Sequence, residues 1–447
     1  MRAPSQQRAR LLAPWHDARA ETDALFGIVR PEFLFERPIA ERHRIAFYIG
    51  HLEAFEWNLL AGRLGLASER PDLDALFALG IDPVAGDLPR DEPGDWPRLD
   101  QIHAYRDRVR ARLDAALAHG RADEEEEREL EQRLNVAIEH RQMHAETLAY
   151  LFHRLPFAYK ACDTPVAQRP LREVAATTID IPTGTALLGI ASAAGTFGWD
   201  NEFEAHTVAV PAFSIDRFKV TNAQFMRFVA AGGYADPRWW TDADWRWRST
   251  HVIEHPAFWT NAGDEWRWRS MFAAIPLPLD WPVYASHAEA SAYARWAGRG
   301  LPTEAQWQRA AFAGNAPTPL LVGERDPRGR ALRAVTRADA FDPLPVDADD
   351  AGPGCEFGLV GLHGNGWEWT SSPFAPFAGF HPFDFYPGYS QPFFDGRHYV
   401  LKGGSVRTAS PMLRPSFRNW FQPHYPFVYA GFRCVDAPIA SSQRSAS

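Results

Sequence analysis

The chain has 447 residues, of which 46% are hydrophobic and 23% are charged. This composition excludes a mainly disordered chain and a collagen-like one. The 47 basic and 56 acidic side chains give a formal net charge of −9, so we expect no general binding of nucleic-acid phosphates. The three cysteines are too few for a disulfide scaffold and fit a reducing compartment. At roughly 150 residues per domain, the length predicts two to three domains.

Neither the first residues nor the hydropathy pattern indicates a targeting or membrane segment. Charged side chains are spread through residues 1–20, without the apolar core of a signal peptide. No window approaches the roughly 18 apolar residues of a membrane-spanning helix. We therefore expect a cytoplasmic protein with no membrane partner.

The first 160 residues are predicted to form a four-helix bundle. They are rich in Ala, Leu, Arg and Glu, and their apolar residues recur at helical spacing in four segments. These segments are residues 7–25, 39–64, 99–119 and 122–154. Four prolines between the second and third segments indicate a long connecting loop, which a bundle tolerates.

The remainder of the chain has a different pattern. Short apolar stretches alternate with Gly, Pro, Asn and Asp turns, and two helical segments, 222–230 and 287–297, interrupt them. Fourteen of the 17 tryptophans also lie here, and we expect most of them to support the core. This pattern predicts an irregular mixed domain over residues 179–438.

The predicted fold class is therefore α+β, with a helical bundle over residues 1–160 followed by the irregular mixed domain. Residues 161–178 are predicted to be a linker between the two. Residues 439–447 have the small polar composition of a disordered tail.

Histidine spacing in the fourth helical segment predicts a metal site. His140 and His144 are four residues apart, so they share one helix face and can converge on one ion. Imidazoles suit Fe, Zn, Cu or Ni. The leading third ligand is His51 on another bundle helix, and Glu146 is the alternative. Because residues i and i+2 of a helix diverge, Glu146 is better interpreted as a carboxylate behind the ligands. The competing explanation is that two of the sixteen histidines lie four residues apart by chance.

Two sets of motifs resemble those of the non-haem iron sulfoxide synthases. The pattern of residues 51–53 and 140–148 resembles the DinB-like bundle of that family. Seven further stretches resemble its formylglycine-generating-enzyme-like domain: 197–202, 220–225, 301–307, 364–370, 401–405, 417–420 and 431–433. The resemblance thus extends over nearly the whole chain.

The resemblance implies a fold, a cofactor and a reaction. The fold is a DinB-like four-helix bundle followed by an irregular α/β domain of formylglycine-generating-enzyme-like, C-type-lectin-like topology. Family members hold Fe(II) with three histidines, which correspond here to His51, His140 and His144. They use O2 to join hercynine, or histidine itself, to a chalcogen donor. Formylglycine chemistry is not implied, because its two cysteines correspond to Thr408 and Leu413 here.

Departures from the ergothioneine-type members bear on the donor. Those members carry a tyrosine pair and a basic loop before the third bundle helix, whereas residues 87–95 here hold four acidic side chains and one arginine. A γ-glutamyl-cysteine donor brings two carboxylates, which arginines bind best. The acidic loop therefore favours a neutral selenosugar donor. Arg106 and Arg110 on the next helix are alternative donor-binding residues, or they form a solvated helix face.

The resemblance places hercynine contacts in residues 418–421 and beside the second helical histidine. Trp420 and Phe421 could face its trimethylammonium group through cation–π contact, and Asn419 offers an amide. Met143 and Arg418 occupy the other positions of this predicted contact set. Such an aromatic pair favours hercynine over free histidine.

The proton donor is a separate question. Phe377 stands where many ergothioneine-type members have a tyrosine that donates a proton, and phenylalanine cannot do so. Tyr425 and Tyr429 lie near the substrate motif and are candidate donors. The competing interpretation is that both rings serve packing.

These departures favour a selenoneine synthase that joins hercynine to a selenosugar. The alternative is an ergothioneine-type sulfoxide synthase that uses a thiol such as γ-glutamyl-cysteine or cysteine. Two other classes compete: a metal-storage protein with a lectin-like module, and a zinc thiol-transferase of the bundle superfamily.

Overall fold

The computed structural model describes residues 5–78, 80, 88–119, 123–161, 172–263, 265–313, 341–348 and 356–436. The chain divides into two compact units, Met1–Pro165 and Val166–Ser447. The first is helical and the second is mixed, which confirms the predicted α+β class. Most of the predicted linker and all of the predicted tail lie outside the described residues. The first strand begins at Thr178, the last residue assigned to the linker.

Five α-helices make up most of the described part of the first unit. They are α1 (Gln6–Phe26), α2 (Ile45–Leu60), α3 (Pro71–Leu76), α4 (Leu99–Leu117) and α5 (Glu124–Arg154). Helix α1 packs on α5, and α2 packs on both α4 and α5. The four long helices were predicted, whereas the short α3 was not. Helix α2 begins at Ile45 rather than at residue 39, because Arg44 has an extended backbone.

Helix α5 begins where the acidic run of the sequence begins. The carboxylate of Asp123 accepts hydrogen bonds from the backbone N–H groups of Glu125 and Glu126. These bonds satisfy donors that a helix start leaves unpaired, and the acidic first turn favours the helix dipole.

A buried charge network crosses the core of the first unit. Glu56 of α2 accepts from Arg19 of α1 at 2.6 Å and from Arg141 of α5 at 2.5 Å. Arg141 also forms an ion pair with Glu53 of α2 at 3.0 Å. All four side chains are buried. Buried charges are stable only when paired, so this network fixes the register of three helices.

The described part of the second unit contains four helices and thirteen strands. The helices are α6 (Asn222–Ala230), α7 (Asp242–Thr250), α8 (His287–Trp296) and α9 (Glu304–Phe312). The strands are β1 (Thr178–Ile181), β2 (Gly184–Leu188), β3 (His206–Val210), β4 (Phe213–Asp216), β5 (Trp259–Ala262), β6 (Glu265–Arg269), β7 (Ala274–Pro276), β8 (Arg299–Gly300), β9 (Trp367–Pro373), β10 (Tyr399–Lys402), β11 (Asn419–Phe421), β12 (Ala430–Gly431) and β13 (Val435–Asp436).

These strands form four small sheets, ordered β1-β4-β13-β8, β11-β10-β9-β12, β2-β3 and β5-β6-β7. Capping boxes start three of the helices, with Thr221, Ser286 and Thr303 as the capping residues. Large rings fill the core between such short elements, and six tryptophans of this unit are almost fully buried: Trp199, Trp259, Trp268, Trp307, Trp367 and Trp369. The predicted core role of the tryptophans is confirmed for these six.

Across the described residues, none of the helices combines the length and the apolar character that crossing a bilayer requires.

Candidate metal centre

Three histidines meet in the core of the first unit. His51 comes from α2, and His140 and His144 come from successive turns of α5. One nitrogen from each ring lies within 4.8 Å of the others. Their exposed fractions are 6%, 6% and 4%, so water reaches them little. Among the described residues, no other group of three His, Cys, Asp or Glu side chains is arranged in this way.

Neighbouring groups hold the imidazoles of His51 and His140 in place. Nδ1 of His51 lies 2.8 Å from the carbonyl oxygen of Phe77, which can only accept, so Nδ1 donates and Nε2 keeps its lone pair. The ring of His140 stacks on Phe55 with centroids 3.4 Å apart. Nδ1 of His144 is buried and has no hydrogen-bond partner within the described part of the chain.

Burial sets the charge state of the three rings. It lowers the pKa of His51 to about 4, even though the hydrogen bond to Phe77 acts in the opposite direction. Burial, together with the neighbouring imidazoles, lowers the pKa values of His140 and His144 well below the usual range. All three rings are therefore neutral at pH 7, as metal ligands must be. A buried set of neutral imidazoles fits Fe(II), and Zn or Cu as well.

The two other predicted residues of α5 lie beside this triad. Glu146 is buried and is not part of the group of three nitrogen donors. Met143 is half-buried and precedes His144, and its carbonyl accepts from the Thr147 hydroxyl at 3.1 Å.

Phe77 and Phe55 had not been singled out from the sequence. Phe77 contacts His51 through its backbone carbonyl, so this contact could not be predicted from the type of its side chain. Phe55 is four residues after His51 on α2, and that spacing could have indicated a ring that packs near the site.

The arginines of α4 are engaged with carboxylates of the first unit. Arg110 donates to Glu53 at 2.8 Å and to both carboxylate oxygens of Asp23. Arg106 donates to the adjacent Asp107 at 2.8 Å. The ion pairs of Arg110 tie α4 to α1 and α2, which is a structural role rather than the predicted solvated face.

The acidic loop is less negative than its composition indicates. Asp91 forms ion pairs with Arg37 and Arg44, and it accepts from the indole N–H of Trp96 at 2.7 Å. Asp95 accepts the backbone N–H of Glu92. Two arginines distant in sequence therefore offset the charge of Asp91, which the composition of the loop alone does not show. Asp87, the first of the four acidic side chains of this loop, lies outside the described residues.

In the second unit, the predicted hercynine contacts form β11, which pairs with β10. Trp420 stacks on Phe374 with centroids 4.2 Å apart and the planes nearly parallel. Phe421 stacks on Tyr425 at 5.5 Å. Asn419 and both β11 rings are half-buried. Each ring therefore has a protein partner on one face.

Arg418 does not have the character of a substrate contact. It forms a bidentate pair with Glu304 and donates to the carbonyl oxygen of Ala375 at 3.0 Å. Its guanidinium lies 4.1 Å from the ring centroid of Phe377. Arg418 is 3% exposed and has a structural role through these contacts, and its role in substrate binding stays a prediction.

The two candidate proton donors differ in their surroundings. Tyr429 has no exposed surface and stacks on Tyr284 at 5.6 Å, so it belongs to the core, which favours the competing interpretation of packing. Tyr425 is half-buried and stacks on Phe421 of β11. Tyr425 is the better placed of the two to meet a ligand.

Comparisons with known proteins find a matching family for each of the two units. Residues 15–148 match the DinB superfamily, and residues 164–438 match the sulfatase-modifying factor enzyme 1-like domain. The hercynine oxygenase of Mycolicibacterium smegmatis is 38% identical over 67% of this chain and 71% of its own. The chain belongs to the family of DinB and formylglycine-generating-enzyme-like sulfoxide synthases.

Two further relatives carry the same or a related name. The hercynine oxygenase of Mycolicibacterium thermoresistibile is 40% identical over 58% of each chain. Ergothioneine biosynthesis protein 1 of Neurospora crassa is 27% identical over 95% of this chain. The chain spans 58% of the length of the former and 57% of the length of the latter.

This member of the synthase family lacks thiols at the two positions that correspond to the formylglycine cysteines. Thr408 is buried and accepts from the backbone N–H of Ser405 at 2.8 Å, and Leu413 is buried as well. Cys434 is a free cysteine of the described residues, and it too is buried. The second unit therefore keeps the scaffold of the matched domain without that pair of thiols.

Proposed function

We propose that this chain is an iron-dependent oxygenase that joins the imidazole C2 of hercynine to a chalcogen donor. The observation that carries the proposal is the buried triad of neutral imidazoles His51, His140 and His144. The names of the relatives, hercynine oxygenase and ergothioneine biosynthesis protein 1, support hercynine as the substrate.

The triad would hold Fe(II) through three nitrogen ligands. An iron so bound would supply the activation of O2, since three ligands leave coordination positions open. In the overall reaction the C2–H bond and the S–H or Se–H bond of the donor would break and the C2–chalcogen bond would form. One oxygen atom of O2 would end on the chalcogen, and the other would leave as water with the two hydrogens. The aromatic walls formed by Phe47 and Phe55 limit the access of water to the triad.

In this proposal β11 supplies the substrate contacts. The half-buried rings of Trp420 and Phe421 would face the trimethylammonium group, and the amide of Asn419 would bind the carboxylate or the imidazole. Tyr425 would deliver the proton that the reduced oxygen needs, because a phenol can donate where Phe377 cannot.

We further propose a selenosugar as the donor, which makes the chain a selenoneine synthase. A dicarboxylate donor needs arginines as partners, but Arg37, Arg44 and Arg110 already bind carboxylates of the first unit. A neutral donor does not need them. The alternative donor is a thiol such as γ-glutamyl-cysteine or cysteine, with Arg106 as its candidate partner.

The test is an assay of the purified Fe(II)-loaded protein with hercynine and one donor at a time. We expect O2 uptake that depends on hercynine and on the selenosugar, with a C–Se product detected by mass spectrometry. Turnover with the thiols alone would contradict the selenium donor. Metal binding without hercynine-dependent O2 uptake would favour metal storage, and anaerobic activity with Zn would favour a thiol-transferase.

A further inference from the structure

The backbone of Phe77 is the hydrogen-bond partner of one ligand of the triad. Its carbonyl oxygen accepts from Nδ1 of His51 at 2.8 Å, and both residues are buried. That bond fixes the tautomer, because the hydrogen on Nδ1 leaves the lone pair on Nε2. It also fixes the rotation of the ring, since the acceptor lies on one side of it. The placement of Phe77 therefore decides where Nε2 of His51 points.

Gly50 and the ring of Phe77 fit each other closely. Gly50 precedes His51 within α2, and a Cβ added at Gly50 would lie 2.5 Å from three carbons of the Phe77 ring. Real Cβ atoms do not approach other carbons so closely, so either the ring or the helix would have to move. Glycine inside a helix costs about 1 kcal/mol relative to alanine. The contact with Phe77 is the physical reason for a glycine at this helical position.

Trp96 contacts Phe77 as well. The two rings stack with centroids 6.2 Å apart and an interplanar angle of 19°. The indole N–H of Trp96 donates to Asp91, whose carboxylate is held by Arg44 at 3.0 Å. The ring of Phe77 thus contacts the glycine of α2 and an indole that is itself anchored by a hydrogen bond.

From these contacts we propose that Phe77 is a positioning residue of the metal centre. Gly50 and Trp96 fix its ring, and the fixed ring keeps its carbonyl where it orients His51. This role rests on the proposed function, because it takes His51 as a metal ligand. It is independent of the substrate and of the donor.

The test uses Gly50→Ala, with the exposed Gly62→Ala as the matched control. An added Cβ at Gly62 meets no atom within 4 Å. The probe is Co(II), whose visible absorption bands respond to ligand geometry, and the readouts are its dissociation constant, its spectrum and the unfolding midpoint of the metal-free protein. We expect Gly50→Ala to weaken Co(II) binding about 10- to 100-fold and to change the spectrum. Gly62→Ala should match the wild type in all three readouts.

Wild-type affinity and a wild-type spectrum in a folded Gly50→Ala protein would overturn the proposal. If that variant does not fold, Trp96→Leu decides the matter, because it removes the stacking partner and adds no atoms beside α2. We expect the same direction of change in Trp96→Leu, and an unchanged affinity and spectrum would overturn the proposal. A wild type that binds no Co(II) would overturn both this role and the proposed function. Tight Co(II) binding without hercynine-dependent O2 uptake would contradict the proposed function alone.

Discussion

Arg418 and Glu304 form a buried bidentate ion pair, with Nε 2.8 Å from Oε1 and Nη2 3.1 Å from Oε2. Arg418 directly precedes β11, and Glu304 is the first residue of α9. The pair therefore fixes the predicted substrate strand against a helix start. This arginine, which the sequence placed among the predicted substrate contacts, sets the position of its neighbours.

Glu304→Gln should destabilise the second unit, because it leaves the guanidinium of Arg418 buried without its charge partner. We expect a loss of about 3–5 kcal/mol in the free energy of unfolding, measured in urea. The exposed Glu265→Gln is the control and should stay within about 0.5 kcal/mol of the wild type. A folded Arg418→Met variant with unchanged stability and a raised KM for hercynine would contradict the structural role.

Arg110→Ala and Arg106→Ala should separate stability from donor binding. Arg110→Ala leaves Glu53 buried with one cation fewer, and we expect a loss of about 2–4 kcal/mol in the free energy of unfolding. Arg106 pairs only with its exposed neighbour among the contacts described above, so its removal should cost less than about 1 kcal/mol. Under the selenosugar proposal, neither variant changes the KM of the donor by more than about twofold once folding is accounted for. A large rise in that KM for Arg106→Ala would favour a charged thiol donor.

His144→Ala should remove stoichiometric iron and leave the metal-free fold intact. The ring of His144 contributes one of the three converging nitrogens, and two ligands bind Fe(II) much more weakly than three. Iron content after gel filtration measures the effect, and circular dichroism checks the fold. The exposed His119→Ala serves as the control. Full iron content and activity in His144→Ala would refute the ligand assignment.

The second unit should lose stability as the solution is acidified. Burial lowers the pKa values of His287 and His363 to about 4, against 6.5 for a free imidazole. The unfolded chain therefore binds more protons between these values, so the stability is fully present above about pH 6.5 and is lost as the pH falls towards 4. Each ring contributes about 1.4 kcal/mol per pH unit in that window.

Free energies of unfolding, measured in urea from pH 7 to pH 4.5, test this dependence. The slope of the free energy of unfolding against pH should be shallower in His363→Asn than in the wild type. The expected difference corresponds to about one proton. The exposed His251→Asn is the control. Identical slopes in the wild type and in His363→Asn would show that this ring does not contribute.

Local patterns predicted what depends on neighbours in the sequence. The periodicity of residues 122–154 located α5, and the i, i+4 spacing placed His140 and His144 on one face. Helix α2 was predicted too long at its start. Ile39 fits the apolar pattern of the helix because its side chain is buried, but its backbone lies in a turn before the helix. His51 was the leading third ligand because it lies within another predicted bundle helix, and the family resemblance then favoured it over Glu146.

Contacts between distant residues could not be predicted. Glu304 is 114 residues from Arg418, and Asp91 is 54 residues from Arg37. Their residue types are equally typical of exposed positions, so the sequence alone does not distinguish a buried pair from a solvated one. The contact of Phe77 with His51 uses a backbone carbonyl, which every residue possesses.

The close fit of Gly50 and Phe77 has a consequence for how this region can vary. A larger residue at position 50 becomes acceptable only when position 77 becomes smaller, so the effects of the two substitutions are not additive. The test is a library that varies both positions and is selected for folded protein. Gly50→Ala should be enriched together with leucine or valine at position 77 and depleted together with phenylalanine. Single-site scans would score both positions as intolerant and would miss the exchange.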